Sequence, residues 1–393
     1  MKKLFKGFLL FICVAAVSVS FASCGYKDAG FTEKTTRSDS VEQTEQTVTA
    51  SGKYYYNKLS DREKRAYDKI LSKIYTMPEE ELYIPNIDSG ELDTAYNALL
   101  KDNPDVFFTG RQVHHREFAL GLLCRFEYIF SAEEYETCKA ELDAVCDEVI
   151  ASLSDPDDEW QTELEIHDYI IENCRYKIVE NEHIYSSAYG ALVNGEAACE
   201  GYSKAIQLLL DRAGIENYVI CGQATNNNGS GSHMWNIVKI NGDFYHLDAT
   251  WNDPTDNESE NHRYFNVTDE MISQTHSDFS EDFECTATAE NYYVRMGTSF
   301  GKYNSTHKKE MISVVAREVN AGNGEVEFCF VSEADAINAY DALVSGDMTD
   351  YQSVSSETGV DFGEVNPTYK ILSNLNLVQI YWNMPTEGTD TNG

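Results

Sequence analysis

Cys199, His233 and Asp248 are the residue types that nucleophilic acyl chemistry needs. In that chemistry a thiol attacks a carbonyl carbon, a histidine takes and returns its proton, and a carboxylate fixes the histidine's tautomer. Cys199 stands where a helix begins in GALVNGEAACEGYSKAIQLLLDRAG. Ala205, Leu208, Leu209 and Ala213 mark the inner stripe of that helix, and Gly214 suits its C-terminal cap. Unpaired backbone N–H groups at a helix start stabilise a thiolate. The same groups, including that of Cys199, could hold the oxyanion of a tetrahedral intermediate. Small residues at Gly195, Ala197, Ala198 and Gly201 would let a substrate backbone approach. Taken alone, a cysteine in this position is more often a buried small residue, so the case depends on its partners.

Those partners lie in HMWNIVKINGDFYHLDATWNDP, after the strand-like NYVICGQA and a loop of Asn, Gly and Ser. Asn241-Gly242 between alternating segments predicts a two-residue hairpin turn. With Ile240 opposite Asp243, counting outward sets Ile237 opposite His246 and Trp235 opposite Asp248. His233 shares the face of Trp235, so Asp248 is its diagonal cross-strand neighbour at roughly 7 to 8 Å between Cβ atoms, within reach of an imidazole N–H. His246 shares the inward face and is the competing histidine, but its place along the strand from Asp248 makes it the poorer partner. Tyr202, Trp235 and Trp251 are candidate walls of a substrate site, with a core role equally open to the two tryptophans. His167, on the helical pattern of Trp160 to Asn173, reads as a structural histidine.

The strings NGEAACEGYSKA, HMWNIV and FYHLDATW resemble the three motifs of the transglutaminase-like superfamily, over roughly residues 160 to 285. The resemblance implies a papain-like α+β core, a helix bearing the nucleophile packed on an antiparallel sheet. It also implies Cys199 as nucleophile, His233 as base, Asp248 as acid, and a thioester formed from a peptide or glutamine carbonyl. Transfer to water, as a cysteine peptidase or amidase, is ranked above transfer to an amine, as a crosslinking transglutaminase. Tyr189 and Trp160 are the candidates for a second oxyanion donor. No DxDxDG loop occurs, so metal dependence is not expected, and the expected chemistry calls for no cofactor. The competing class is a non-catalytic surface binding or scaffold lipoprotein, against which the intact trio weighs.

The elements that must position this trio sit in a longer, exported chain. Residues 1–23 place lysines ahead of a short apolar run and end in small residues, an export signal. Phe21-Ala22-Ser23-Cys24-Gly25 resembles a bacterial lipobox, which makes Cys24 a lipid attachment point. Residues 24–52, rich in Thr, Ser, Glu and Gln, read as a flexible tether. An N-terminal α/β module is expected over 53–153, the catalytic domain over 154–290, and a C-terminal accessory module over 291–393. Helices are expected at 57–77, behind a Ser60 capping box, at 92–100, at 132–152 and at 160–173, with an extended run at 124–130. A boundary turn is expected at Asp155-Pro156-Asp157-Asp158.

A formal net charge of -36 disfavours nucleic-acid partners. The expected partners are a peptide or protein substrate, wall peptides among them, and the membrane through the N-terminal lipid. Ten cysteines occur without a CxxC pair, which gives a structural zinc site little support.

Overall fold

The structure is a computed structural model that describes residues 53–180, 182–226, 229–253, 260–280 and 282–382. The expected export signal, lipidated Cys24 and tether lie outside the described residues. Among those described, no helix is long and apolar enough to cross a membrane.

The chain opens with α1 (Tyr54–Lys58), α2 (Asp61–Ile74), β1 (Leu82–Pro85), α3 (Ser89–Asp102), β2 (Thr109–Phe118), β3 (Gly121–Tyr128) and α4 (Ala132–Ser152). Three of the helices start on capping boxes: Ser60 with Glu63, Asp88 with Glu91, and Ser131 with Glu134 each exchange side-chain and backbone hydrogen bonds. These satisfy first-turn N–H groups that a helix itself leaves unpaired. The extended run expected near 124–130 is β3, central in a sheet of order β1-β3-β2. Its partner β2 is exposed along most of its length and shows no apolar alternation, which is why the pattern of TGRQVHHREF did not announce a strand.

Then follow α5 (Glu159–Asn173), β4 (Arg175–Tyr176), a 3₁₀ turn at His183–Ser186, α6 (Ala188–Leu192), β5 (Glu196–Ala197) and α7 (Cys199–Ala213). After them come β6 (Asn217–Asn226), β7 (Gly229–Ile240), β8 (Asp243–Leu247), α8 (Ala249–Asn252), α9 (Asp269–Ile272) and β9 (His276–Ser277). Asp158, the last residue of the expected boundary turn, caps α5 by accepting from the Trp160 and Gln161 amides. The sheet is antiparallel in the order β8-β7-β6-β9, and α7 packs across β6 and β7. Asn241 and Gly242 both have positive φ, 53° and 97°, as a two-residue hairpin turn requires. The fold is α+β, with the cysteine-bearing helix laid on an antiparallel sheet.

The last part holds α10 (Tyr292–Met296), α11 (His307–Ala321), β10 (Glu325–Cys329), α12 (Glu333–Val344), α13 (Thr349–Thr358), α14 (Phe362–Val365), β11 (Thr368–Leu372) and β12 (Leu377–Tyr381). Its strands form a separate sheet of order β10-β12-β11, with its own apolar cluster from Met311 to Trp382. The largest cluster runs from Leu59 to Phe265, so the first elements and α7 share one core.

Gly201, in the first turn of α7, lets that turn slide beneath the 3₁₀ turn. A Cβ there would stand 2.7 Å from the Tyr185 carbonyl oxygen and 2.7 Å from the Ala197 Cβ. Gly201→Ala is expected to cost about 1–3 kcal/mol through overpacking of backbone that cannot yield. Denaturant unfolding of the two proteins checks it, and an unchanged midpoint would contradict the tight seating of α7.

Candidate functional site

Cys199 is the first residue of α7, with Ala198 as N-cap and no side chain capping the helix start. Its backbone N–H therefore belongs to the turn that lacks intrahelical acceptors. The entry to α7 is fixed by the short parallel ladder of β4 with β5, in which Tyr176 pairs with Ala197 and the Lys177 amide donates to the Ala197 carbonyl at 2.8 Å. The next residue, Glu200, is buried and ion-paired to Arg111 of β2 and to Lys204 at 2.9 Å. Against the cost of burial, Lys204 and Arg111 hold its carboxyl below the usual range. Cys199 is half-buried, and all eight cysteines among the described residues are free.

His233 on β7 faces that thiol. The hairpin register runs as the turn predicts, with Ile240 opposite Asp243, Ile237 opposite His246 and Asn236 opposite Leu247. Pairing stops there, and Asp248 becomes the N-cap of α8 instead of facing Trp235 in the ladder. Its carboxylate still meets His233, at 2.7 Å from Nε2 to Oδ2. With Nε2 committed, Nδ1 is the ring nitrogen left for the thiol. Behind the ring, β7 pairs His233 with Gly222 of β6. A Cβ at Gly222 would lie 2.5 Å from the Ser277 carbonyl oxygen and 2.8 Å from the Trp235 ring, so only glycine allows this packing.

Asp248 is fully buried, and its polar atoms are well supplied. Oδ2 also accepts from His276 Nε2 at 3.0 Å, Oδ1 from the Trp251 amide at 3.2 Å, and its own N–H donates to the Tyr264 carbonyl at 3.0 Å. Burial alone would raise this carboxyl, but His233 and His276 hold it well below the ordinary carboxylate range. For His233 burial opposes the charge, yet Asp248, assisted by a hydrogen bond with Cys199, pushes the imidazolium up to about 10. The arrangement is a buried ion pair beside a half-buried cysteine, which can deliver a nucleophile and return a proton.

Two neighbours escaped the sequence reading. His276 comes from the two-residue β9, whose surroundings carry no pattern, and reaches Asp248 only because β9 pairs with β6. Tyr176 lies close enough to Cys199 and Asp248 for both to add to the effect of burial in raising its phenol, which therefore stays protonated.

The remaining candidates separate. Tyr202 and Trp235 are each 1% exposed and belong to the core, which corrects their expected place in a substrate wall. The Tyr202 hydroxyl pairs with Asp253, and the Trp235 indole donates to His246 Nδ1 at 2.9 Å. Trp251 is half-buried, with its ring 5.9 Å from that of His233. Neither expected oxyanion donor is available: the Tyr189 hydroxyl donates to Glu141 at 2.6 Å and the Trp160 indole to the Glu290 carbonyl at 2.9 Å. His246 bonds Asp269 at 2.9 Å instead of Asp248. His167 is buried and paired with Asp168 at 2.8 Å. Three groups among the described residues stand close enough to hold a cation: His233, Asp248 and His276; His167, Asp168 and His262; and His246, Asp269 and Cys285. In each, the carboxylate already bonds a histidine.

The ion pair sets a pH dependence. His233 binds its proton more tightly folded than at its ordinary 6.5, so its contribution to stability is full below 6.5 and is lost as pH rises through about 10. Asp248, lowered from 3.8, contributes above 3.8 and loses that contribution on acidification. The difference in melting temperature between wild type and His233→Gln should therefore be largest between pH 3.8 and 6.5 and shrink toward about 10. A difference constant across that range would contradict the pair.

Residues 143–249 match the sequence profile of the transglutaminase-like superfamily. Among solved structures, one described as a TGase overlaps 46% of this chain and 52% of its own, at TM-score 0.27 and 12% identity. A candidate protease from Parabacteroides distasonis ATCC 8503 overlaps 35% of either chain, at TM-score 0.21 and 10% identity. A candidate cysteine protease from Cytophaga hutchinsonii overlaps 47% of this chain and 69% of its own, at TM-score 0.26 and 12% identity. The chain thus spans about half the length of the first of these structures. No curated protein matches the sequence. The profile match contains Cys199, His233 and Asp248 in order, so residues 143–249, with the cysteine-bearing helix, are similar to the transglutaminase-like superfamily.

Proposed function

We propose that this protein is a thiol acyl-transfer enzyme that hydrolyses peptide or glutamine carbonyls through a thioester on Cys199, and that a lipid on Cys24 holds it at the cell envelope. The observation that carries the reading is the 2.7 Å contact of His233 with the fully buried Asp248, beside the thiol of a helix-start cysteine. A histidine so held keeps one tautomer and one direction, which is what proton transfer to and from a thiol requires.

In the proposed cycle Cys199 reacts as the thiolate of a pair whose proton His233 Nδ1 already holds; its sulfur attacks the carbonyl carbon and places negative charge on the carbonyl oxygen. The Cys199 amide and the Tyr176 hydroxyl receive that charge. The tetrahedral intermediate collapses as the C–N bond breaks, and His233 gives its proton to the departing amine or ammonia. A water then loses a proton to His233 and attacks the thioester, and the carboxylic acid leaves as the thiolate and its protonated His233 are restored. Asp248 stays ionised throughout and holds the ring.

Hydrolysis is favoured over crosslinking because Cys199 is only half-buried, and an acyl group carried there is not expected to be shielded from water. The envelope setting, taken from the N-terminal signal and tether, makes wall peptides and neighbouring surface proteins the proposed substrates.

The chain from Gly52 onward, offered a peptide library containing glutamine with and without a primary amine, should give cleaved or deamidated products that disappear in Cys199→Ala. Amine-linked products in excess of hydrolysis would overturn the preference for water. Absence of any product dependent on Cys199 would favour the binding scaffold. On a peptide that is turned over, Tyr176→Phe should lower kcat on the order of 100-fold with little change in KM. An unchanged kcat would remove Tyr176 from the oxyanion site.

A further inference from the structure

The turn that carries Asp248 is tied to the C-terminal sheet through a continuous set of hydrogen bonds. Asn252, fully buried, ends α8 and accepts the Tyr264 amide on Oδ1 at 2.8 Å and the Asn261 amide on its carbonyl at 3.0 Å. Tyr264 in return accepts the Asp248 amide, so the aspartate's turn and residues 261–264 are joined backbone to backbone. The segment leaves the turn at Asp253 and returns at Glu260, and at its return it meets the other sheet. There Gln379 of β12 donates to the Glu260 carbonyl at 2.8 Å. Glu327 of β10 accepts the His262 amide at 3.3 Å on one oxygen and bonds His262 Nδ1 at 3.1 Å with the other.

His262 is the centre of this junction. Its Nε2 bonds Asp168 Oδ1 on α5 at 2.9 Å, and its ring lies flat on Tyr292, 3.7 Å between centroids. Burial opposes its charge, but Glu327 and Asp168 outweigh burial and push the imidazolium up to about 10. Tyr293 donates at 2.8 Å to the same Glu327 oxygen that accepts the His262 amide, so the carboxylate is held at both oxygens. Asp168 also accepts from His167 Nδ1, and burial keeps His167 neutral, so its Nε2 receives the Asn252 side-chain amide at 3.0 Å. That tautomer, a proton on Nδ1 aimed at Asp168, suits a hydrogen-bonded relay and not a metal ligand at that nitrogen. Glu327 thus reaches Asn252 by two routes, one through the 261–264 backbone and one through His262, Asp168 and His167.

We propose that Glu327 and His262 are positioning residues for Asp248, and that the C-terminal sheet is the anchor from which the aspartate's turn is held in register with His233. The inference rests on Cys199, His233 and Asp248 being the reacting trio. Asp248 is fixed from two sides: its carboxylate by His233, His276 and the Trp251 amide, its backbone by the anchored 261–264 segment. Loss of the anchor lets the turn move as a unit, and a displacement of about 1 Å at a reacting geometry can cost on the order of 100-fold in rate.

The test uses the chain from Gly52 onward and iodoacetamide, with alkylation of Cys199 followed by peptide mass spectrometry. Glu327→Ala should lower the Cys199 rate at neutral pH by about 10-fold or more, move its pH profile to higher pH, and speed hydrogen exchange at the Asp248 and Tyr264 amides. Glu327→Gln, which keeps an oxygen for His262, should lose less. Glu357→Ala, on the surface of the same C-terminal part, should leave rate and profile at wild type. A Glu327→Ala protein with a rate and pH profile within about twofold of wild type would overturn the positioning role, whatever its melting temperature. If that variant does not fold, Glu327→Gln decides the matter: a wild-type profile overturns the proposal and a shifted one supports it. A wild-type Cys199 no faster than the half-buried Cys221 would instead overturn the trio on which the inference stands.

Discussion

The carboxylate of Asp248 has no exposure to solvent, and a charge so placed is tolerable only when it is paired and fully hydrogen-bonded. Much of the site follows from meeting that demand. His233 supplies the opposite charge, His276 a second N–H, and the start of α8 a third through the Trp251 amide. Each donor comes from a different stretch of chain, so the carboxylate is held only when β7, β9 and α8 are all in place. The same pairing makes His233 a strong base, and burial of the pair makes it sensitive to the loss of either partner.

The thiol is delivered by a separate set of constraints. The β4–β5 ladder, the close approach at Gly201 and the buried Glu200 with its two cations all bear on the first turn of α7. Arg111, one of those cations, belongs to β2, so the N-terminal elements take part in holding the cysteine's helix. The C-terminal sheet acts on the opposite partner, the aspartate's turn. On the proposed reading, the two flanking parts brace the cysteine and the aspartate of one trio from opposite ends.

Legibility in the sequence followed the range of the interactions. The pairing of His233 with Asp248 could be read because a two-residue Asn-Gly turn sets the register of both strands, and register fixes which side chains meet. The helix starts at Ser60 and the start of α7 could be read for a similar reason, since caps and apolar stripes are local. His276, Tyr176 and His262 left no such trace: each reaches its partner through tertiary closure, from segments of two residues or from irregular chain. Trp235 and Tyr202 were open to misreading because an aromatic on an inward face looks the same in sequence whether it lines a cleft or fills a core. Only the neighbours decide, and for Trp235 they are His246 and the close-packed Gly222. Trp160 and Tyr189 failed as oxyanion donors for the same reason, their polar atoms being taken by Glu290 and Glu141.

His233 carries its proton within a buried pair with Asp248 next to Cys199, and everything proposed for the site depends on that proton. The direct measurement is the protonation state of the His233 ring, followed by nitrogen chemical shifts in isotope-labelled protein across the neutral and alkaline range, in wild type and in Asp248→Asn. The expected result is an imidazolium in wild type that persists through neutrality and titrates only toward about 10, and a neutral ring at neutral pH in the variant. A wild-type ring that titrates near its ordinary 6.5, or one that Asp248→Asn leaves unchanged, would contradict it.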